Sequence, residues 1–219
     1  MGAMTDSSRE WIDGFLVVGN QPALDLLNTR LVADGQQQEM LTDTSALVRW
    51  LVLSGLAPIS EIKDELKVWS GKPDGRRFLR ELLIFRESLR EAVLRLEDGK
   101  QPSPAFLADL NKRLFAHPLR RAIAAKSGKM QSRQIGGTSL ADTLWAALLH
   151  ETEKLFTDTE PGRVRKCESC IVQFLDVSKK NARRWCSMRL CGNRIKVAAY
   201  QDRQRRGEHS QSSIAPVGQ

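Results

Sequence analysis

Apolar residues recur every three or four positions through most of the first 157 residues. Over residues 74–98, Phe78, Leu82, Phe85, Leu89, Val93 and Leu96 step along one face until Gly99, which predicts a long amphipathic helix. Leu24, Leu27 and Leu31 keep the same spacing behind Pro22 and predict a helix to about Val32, after a short strand or extended entry at residues 15–18. Helices are also predicted over "TDTSALVRWLVLSGL", with Thr42 or Asp43 as cap and Gly55 as stop, and over "ISEIKDELKVWS", with Ile62, Leu66 and Trp69 on one face. Ser103 and Pro104 start another, carried by Phe106, Leu107, Leu110 and Leu114 to His117. The period fails in "LRRAIAAKSGKMQSRQIGG", where Ser127 and Gly128 mark a turn and a β-hairpin is predicted. It returns from Ser139, with Leu144, Leu148 and Leu155 as core candidates. The expected fold class is mainly α with a small β element (α+β).

Beyond residue 157 the pattern changes. The polar stretch "DTEPG", residues 158–162, reads as a linker between a helical domain of residues 4–157 and a smaller unit of residues 163–206. Residues 207–219 hold too little apolar content to pack and read as a disordered tail. "MGAM" at the start reads as an expression scar ahead of Met4. With 41% hydrophobic residues among 219 the chain can bury a sizeable core. No apolar run approaches the roughly 18 to 20 residues that span a bilayer, and no basic region followed by an apolar one opens the chain. A cytoplasmic protein without a membrane partner is expected.

The net charge of +8 is unevenly placed. Residues 163–206 carry 13 Lys or Arg against 3 acidic residues, or +10, leaving −2 for the rest. So local an excess points to an anionic partner, most commonly nucleic acid, or else to a solubilising basic segment.

All four cysteines fall in that segment, as Cys167-x2-Cys170-x15-Cys186-x4-Cys191. Two close pairs can complete a tetrahedral thiolate site for Zn2+. Disulfides are disfavoured in a chain without export signals, and a redox pair would not explain the second pair of cysteines. Four thiolates leave no open coordination position, so the expected zinc is single and structural. Arg165, Lys166, Arg183, Arg184 and Arg189 adjoin the ligands, and their charge favours the ionised thiolates.

The stretch "RKCESCIVQFLDVSKKNARRWCSMRLCGNRIKVAAYQDRQR" resembles the CGNR-type zinc finger through Cys191-Gly192-Asn193-Arg194, Phe174, Asp176, Ser178, the run Arg183 to Met188, and Lys196. It departs from that pattern at Ile171 and Ala182, where glycine is usual, and both departures concern turn shape rather than ligation. "VVGNQPALDLLNTR" is similar to the opening of a stress-induced transcription regulator domain that such fingers follow. The resemblance implies a bacterial transcriptional regulator whose finger binds double-stranded DNA.

On that reading Arg183, Arg184, Arg194, Lys196, Lys179 and Lys180 are the candidate contacts to phosphates or bases. A basic helix is expected after Cys191, its N-terminal amides near Asn193 and Arg194 open to an anion, with Lys196 and Arg203 on one face and Arg194 and Arg205 on another. Trp185 and Phe174 read as core of the zinc unit, Asp176 as the partner of an arginine, and Asn193 as a cap. In the first domain Asn20, Asp25, Asn28 and Thr29 either line a ligand pocket or bond buried backbone. Arg86, set in an apolar face, either meets a ligand or an ion-pair partner, or extends to solvent at the helix edge. Asn28, Thr29 and Arg86 are therefore the candidate pocket for a small-molecule effector. A homodimer is expected, because one finger makes a small interface. The alternative is a zinc-stabilised module that binds RNA or protein. An enzyme is disfavoured: only His117, His150 and His209 are present, and no hydrolase, nucleotide or metalloprotease motif occurs.

Overall fold

The computed structural model describes residues 10–33, 36–56, 59–126, 128–135, 137–160 and 162–211. It opens with a hairpin, β1 (Trp11–Ile12) and β2 (Phe15–Leu16), turned at Asp13 and Gly14, both at positive φ (50° and 84°). Two such residues in succession match the twist of a tight two-residue hairpin. Helix α1 (Pro22–Leu27) follows, with the Gln21 side chain accepting from the amides of Ala23 and Leu24.

The predicted helix to Val32 stops five residues short. After Leu27 the chain turns at Asn28 and Thr29 and enters β3 (Arg30–Ala33), which pairs antiparallel with β4 (Gln36–Glu39). Leu31 is buried as expected, but from a strand and in a different cluster from Leu24 and Leu27. A three-leucine spacing fits either geometry when tertiary contacts supply the second burial site.

The other helices stand close to their predicted places. They are α2 (Thr44–Leu53), capped by Asp43, α3 (Ile59–Ser70), α4 (Pro73–Glu97), α5 (Pro104–Ala116), capped by Ser103, and α6 (Leu140–Thr157), capped by Ser139. Gly55 and Gly99 follow α2 and α4 at φ +71°, the left-handed conformation that ends a helix most cheaply in glycine. The predicted hairpin is β5 (Arg120–Lys126) with β6 (Lys129–Ile135). The helices bury one core around an aromatic column. Phe78 lies 5.4 Å from Trp69 and 5.0 Å from Trp145, and Phe85 meets Trp145 edge-on at 5.6 Å.

The segment read as a linker begins with Asp158, which caps α6, and leads through Gly162 (φ +79°) into β7 (Val164–Lys166), paired with β8 (Gln173–Leu175). It does not separate two cores. Leu16, Val18 and Leu31 from the first part of the chain bury against Cys167, Val172, Phe174, Cys186 and Cys191, so the zinc unit completes its interior with residues more than 130 positions away. A wide π-helical turn, Met188–Gly192, leads into the last helix, α7 (Asn193–Gln211). The helix runs through Gly207, inside the segment read as a tail; residues 212–219 lie outside the described residues.

Candidate metal centre

Two turns bring the cysteines together. Cys167 and Cys170 flank the turn between β7 and β8, which is tied by the Cys167 amide to the Val172 carbonyl at 2.8 Å. Cys186 and Cys191 flank the π-helical turn, whose Cys191 and Gly192 amides bond the Ser187 carbonyl at 3.1 and 3.0 Å. All four sulfurs lie within 4.8 Å of one another. The Cys170–Cys186, Cys186–Cys191 and Cys191–Cys170 separations are 3.7, 3.6 and 3.6 Å. A tetrahedron with Zn–S bonds of about 2.3 Å has an edge of about 3.8 Å, so the donor set fits one structural zinc ion.

The electrostatics point the same way. Hydrogen bonding by the Cys170 and Cys186 thiols pulls the Cys167 pKa far below its usual value. The same contact with Cys167 pushes Cys170 up to about 12 and Cys186 higher still. Sulfurs this close do not all ionise unless a cation stands among them, and a divalent ion supplies the charge that lets every thiol lose its proton.

Residues around the ligands hold their shape. A Cβ at Gly192 would come within 2.8 Å of Met188 Sδ and 3.3 Å of Trp185 Cε3, so a side chain there would displace Met188 from its place over the turn. Asp176, fully buried, accepts from the amides of Ser178 at 2.9 Å and Arg183 at 2.8 Å, which ties down the loop between β8 and the second knuckle. Asn181, next to the departure at Ala182, takes φ +44°, and its carbonyl accepts from Arg165 Nη2 at 2.7 Å. Asparagine is among the few residues that adopt this conformation readily.

The six candidate nucleic-acid residues fall into two groups. Arg183 is spent inside the unit: its guanidinium bonds the carbonyls of Trp185 and Cys186 and stacks on Phe174 at 4.4 Å. Arg184 chelates Glu168 and lies over Trp185, and Arg194 donates to the Ser169 carbonyl and hydroxyl at 3.0 and 2.8 Å. Lys179, Lys180 and Lys196 are exposed and make no hydrogen bond or ion pair with the described residues. Of the arginines next to the cysteines, Arg183 thus goes into building the site, whereas Arg184 and Arg194 bond the first knuckle yet stay exposed, as the lysines do.

The expected anion site at Asn193 is corrected by the helix start. The turn begins five residues earlier, and Ser187 Oγ accepts from the amides of Arg189 and Leu190 at 3.0 and 3.2 Å. The Asn193 amide bonds the Met188 carbonyl, so Asn193 lies inside a continuous helix rather than at its cap. Beyond it α7 has no sustained apolar face and packs chiefly on the π-helical turn, with Lys196, Val197, Tyr200, Arg203 and Arg205 exposed.

The residues considered for an effector pocket are buried and meet protein partners. Asn28, 2% exposed, donates to the Gln173 carbonyl at 2.8 Å and accepts from the Gln173 amide at 3.0 Å, pairing with β8 as a strand would. Asn20 adds a bond to the Leu175 carbonyl at 3.0 Å, and the Gly19 carbonyl accepts from the Leu175 amide at 2.8 Å. Asp25 accepts from the Gly19 amide at 2.7 Å and holds that loop. Burial raises its pKa to about 6 despite these backbone bonds. Arg86, 2% exposed, pairs with both Glu39 oxygens at 2.9 and 2.5 Å and donates to Thr29 Oγ1 at 2.8 Å. It is the buried ion pair among the alternatives, not an arginine reaching solvent. No local pattern announced these bonds of Asn20, Asn28 and Arg86, because their partners lie 47 to 155 residues away; only the Asp25–Gly19 bond is local.

A serine, a histidine and an aspartate do meet at the start of α6. Ser139 Oγ, however, donates to Asp142 at 2.8 Å, and it is Asp142 that faces His117 Nδ1 at 3.0 Å. The hydroxyl therefore has no imidazole beside it to act as base, and the group caps α6.

No curated protein gives a significant match to the chain. Residues 20–159 match the family described as "Putative stress-induced transcription regulator", and residues 163–204 match the CGNR zinc finger. No helix among the described residues is long and apolar enough to cross a membrane. The family match spans α1 to α6, the finger match begins just before β7, and together they hold every residue of the two buried clusters except Phe15, Leu16 and Val18: the chain belongs to the stress-induced transcription regulator family, with a CGNR zinc finger following its helical body.

Proposed function

We propose that this protein is a bacterial, cytoplasmic transcription regulator that binds double-stranded DNA through the finger and α7, and that it is not an enzyme. The observation that carries the reading is a zinc-ordered platform with 13 Lys or Arg against 3 acidic residues, a net excess that a zinc tetrathiolate of charge −2 leaves strongly positive, whose Lys179, Lys180 and Lys196 are exposed, as are Arg203 and Arg205 of α7. Lysines on a rigid support neutralise phosphates, and a projecting helix has the diameter to enter the major groove. Arg183, Arg184 and Arg194 support binding by shaping that platform. The filled thiolate sphere and the absence of a base beside Ser139 both favour binding over catalysis.

The test is binding of zinc-loaded protein to labelled genomic DNA fragments across a salt series, with random duplex and RNA as competitors. Fragment-selective binding is expected. The triple substitution Lys179→Ala, Lys180→Ala, Lys196→Ala should lower the slope of log affinity against log salt by about 3, at roughly 0.9 per phosphate contact. Binding competed away only by RNA would transfer the platform to an RNA-binding module, and no nucleic-acid binding would leave a protein-binding one.

A further inference from the structure

The basic residues outside the zinc unit are also concentrated. Residues 119–135 contain Arg120, Arg121, Lys126, Lys129 and Arg133 and no acidic residue, a local charge of +5. Setting these aside leaves 16 basic and 23 acidic residues in the rest of the chain outside 163–206, or −7. The apparent near-neutrality of the first domain hides a basic arm on an acidic body.

The fold places all five residues on the β5–β6 ribbon, paired from Arg120↔Ile135 to Lys126↔Lys129 and turned at Gly128 (φ +74°). Side chains alternate along a strand and paired residues share a face. Arg120, Lys126, Lys129 and Arg133 therefore hold register positions on one face, and Arg121, Ile123, Ala125 and Met130 on the other. Arg120, Arg121 and Lys129 are exposed and form no ion pair with a described acidic residue. Ile123 and Met130 are 75% and 72% exposed. No other described element packs extensively on either strand. A lone two-stranded ribbon is marginally stable in water, and one that leaves such side chains exposed has most to gain from a partner.

We propose that the β5–β6 ribbon is a second DNA-binding arm, a proposal that rests on the DNA reading above. A run of five basic residues with no acidic residue in its sequence, of which Arg120, Arg121 and Lys129 are exposed without an ion pair to a described residue, matches a phosphate backbone, and a two-stranded ribbon fits the major groove, which is about 12 Å wide. The ribbon leaves the body where α6 begins, whereas the zinc unit follows the other end of that 18-residue helix. Such a helix is about 27 Å long, so a duplex engaged at both points is covered over more than a lone finger would cover.

The experiment compares zinc-loaded full-length protein, the lysine triple variant of the finger, and an Arg120→Ala, Arg121→Ala, Lys129→Ala ribbon variant. Each is assayed for duplex affinity across salt and for footprint length, with circular dichroism, zinc content and sedimentation as controls. Lys129→Glu provides a second ribbon variant with a single change beside the turn. The ribbon triple variant is expected to lower the salt slope by about 3, to weaken binding on the order of 100-fold at 0.15 M salt, and to lose one edge of the footprint. Unchanged slope and footprint, with binding lost in the finger variant, would overturn the ribbon proposal and leave the finger reading intact. Binding lost only in the ribbon variants would do the reverse, and no duplex binding by the unaltered protein would overturn both. A ribbon variant that changes only the sedimentation mass would make the arm a contact between copies of this chain, and would also overturn the proposal.

Discussion

Glu97, at the C-terminal end of α4, has its Oε1 buried without a hydrogen-bond partner among the described residues. Burial raises its pKa to about 7, opposed by Lys166 on β7 and aided by Asp98. The unfolded chain releases this proton near pH 4.5 and the folded chain only near 7, so its contribution falls as pH rises through that interval. Glu97→Gln should therefore change stability little at pH 4 and raise it by about 2 kcal/mol at pH 8, a figure already reduced for partial exposure. Urea unfolding at the two pH values tests this, and an equal effect at both would exclude the assignment. At this scale the sequence exposed its ligands well: four cysteines at that spacing define their own site. It exposed the arginines poorly. Arg183, Arg184 and Arg194 are adjacent to the ligands, but whether a guanidinium faces solvent or a carbonyl depends on where the chain turns back.

Among the elements, the contact between α1 and β8 sets how the zinc unit sits on the body. Asn28 takes both backbone groups of Gln173 at a site sealed from water. Asn28→Ala should cost about 2–4 kcal/mol, since two buried backbone groups lose their partners. The same variant should release zinc to a chelator faster than the unaltered protein, because Gln173 lies three residues beyond Cys170. A lower urea midpoint with unchanged zinc release would limit Asn28 to body stability. Helix limits at this scale were legible wherever caps announced them, as at Asp43, Ser103 and Ser139. Of the β1–β2 hairpin the sequence reading caught only the second strand, although the Asp13-Gly14 pair flanked by apolar residues carries a turn signal for the whole of it. The end of α1 was not, because Asn28 and Thr29 make non-local bonds that outweigh helical continuation.

Across the whole molecule, two buried clusters share one body, and the smaller one is built from both ends of the chain. Chelating the zinc should therefore reach beyond the finger. Hydrogen exchange is expected to accelerate in Val164–Lys166 and Gln173–Leu175 and also at residues 15–18 and 31, while the centres of α4 and α6 stay protected. Acceleration confined to residues beyond 162 would mean that the finger folds separately. The sequence by itself determined the helices, the hairpin and the metal, because periodicity, caps and ligand spacing act over a few residues. Only the tertiary structure decided that the apparent linker joins parts of a shared interior, which arginines the site consumes, and that five scattered cations lie on one ribbon. Those outcomes depend on which distant backbone groups and apolar side chains must be buried together, and that requirement has no local signature.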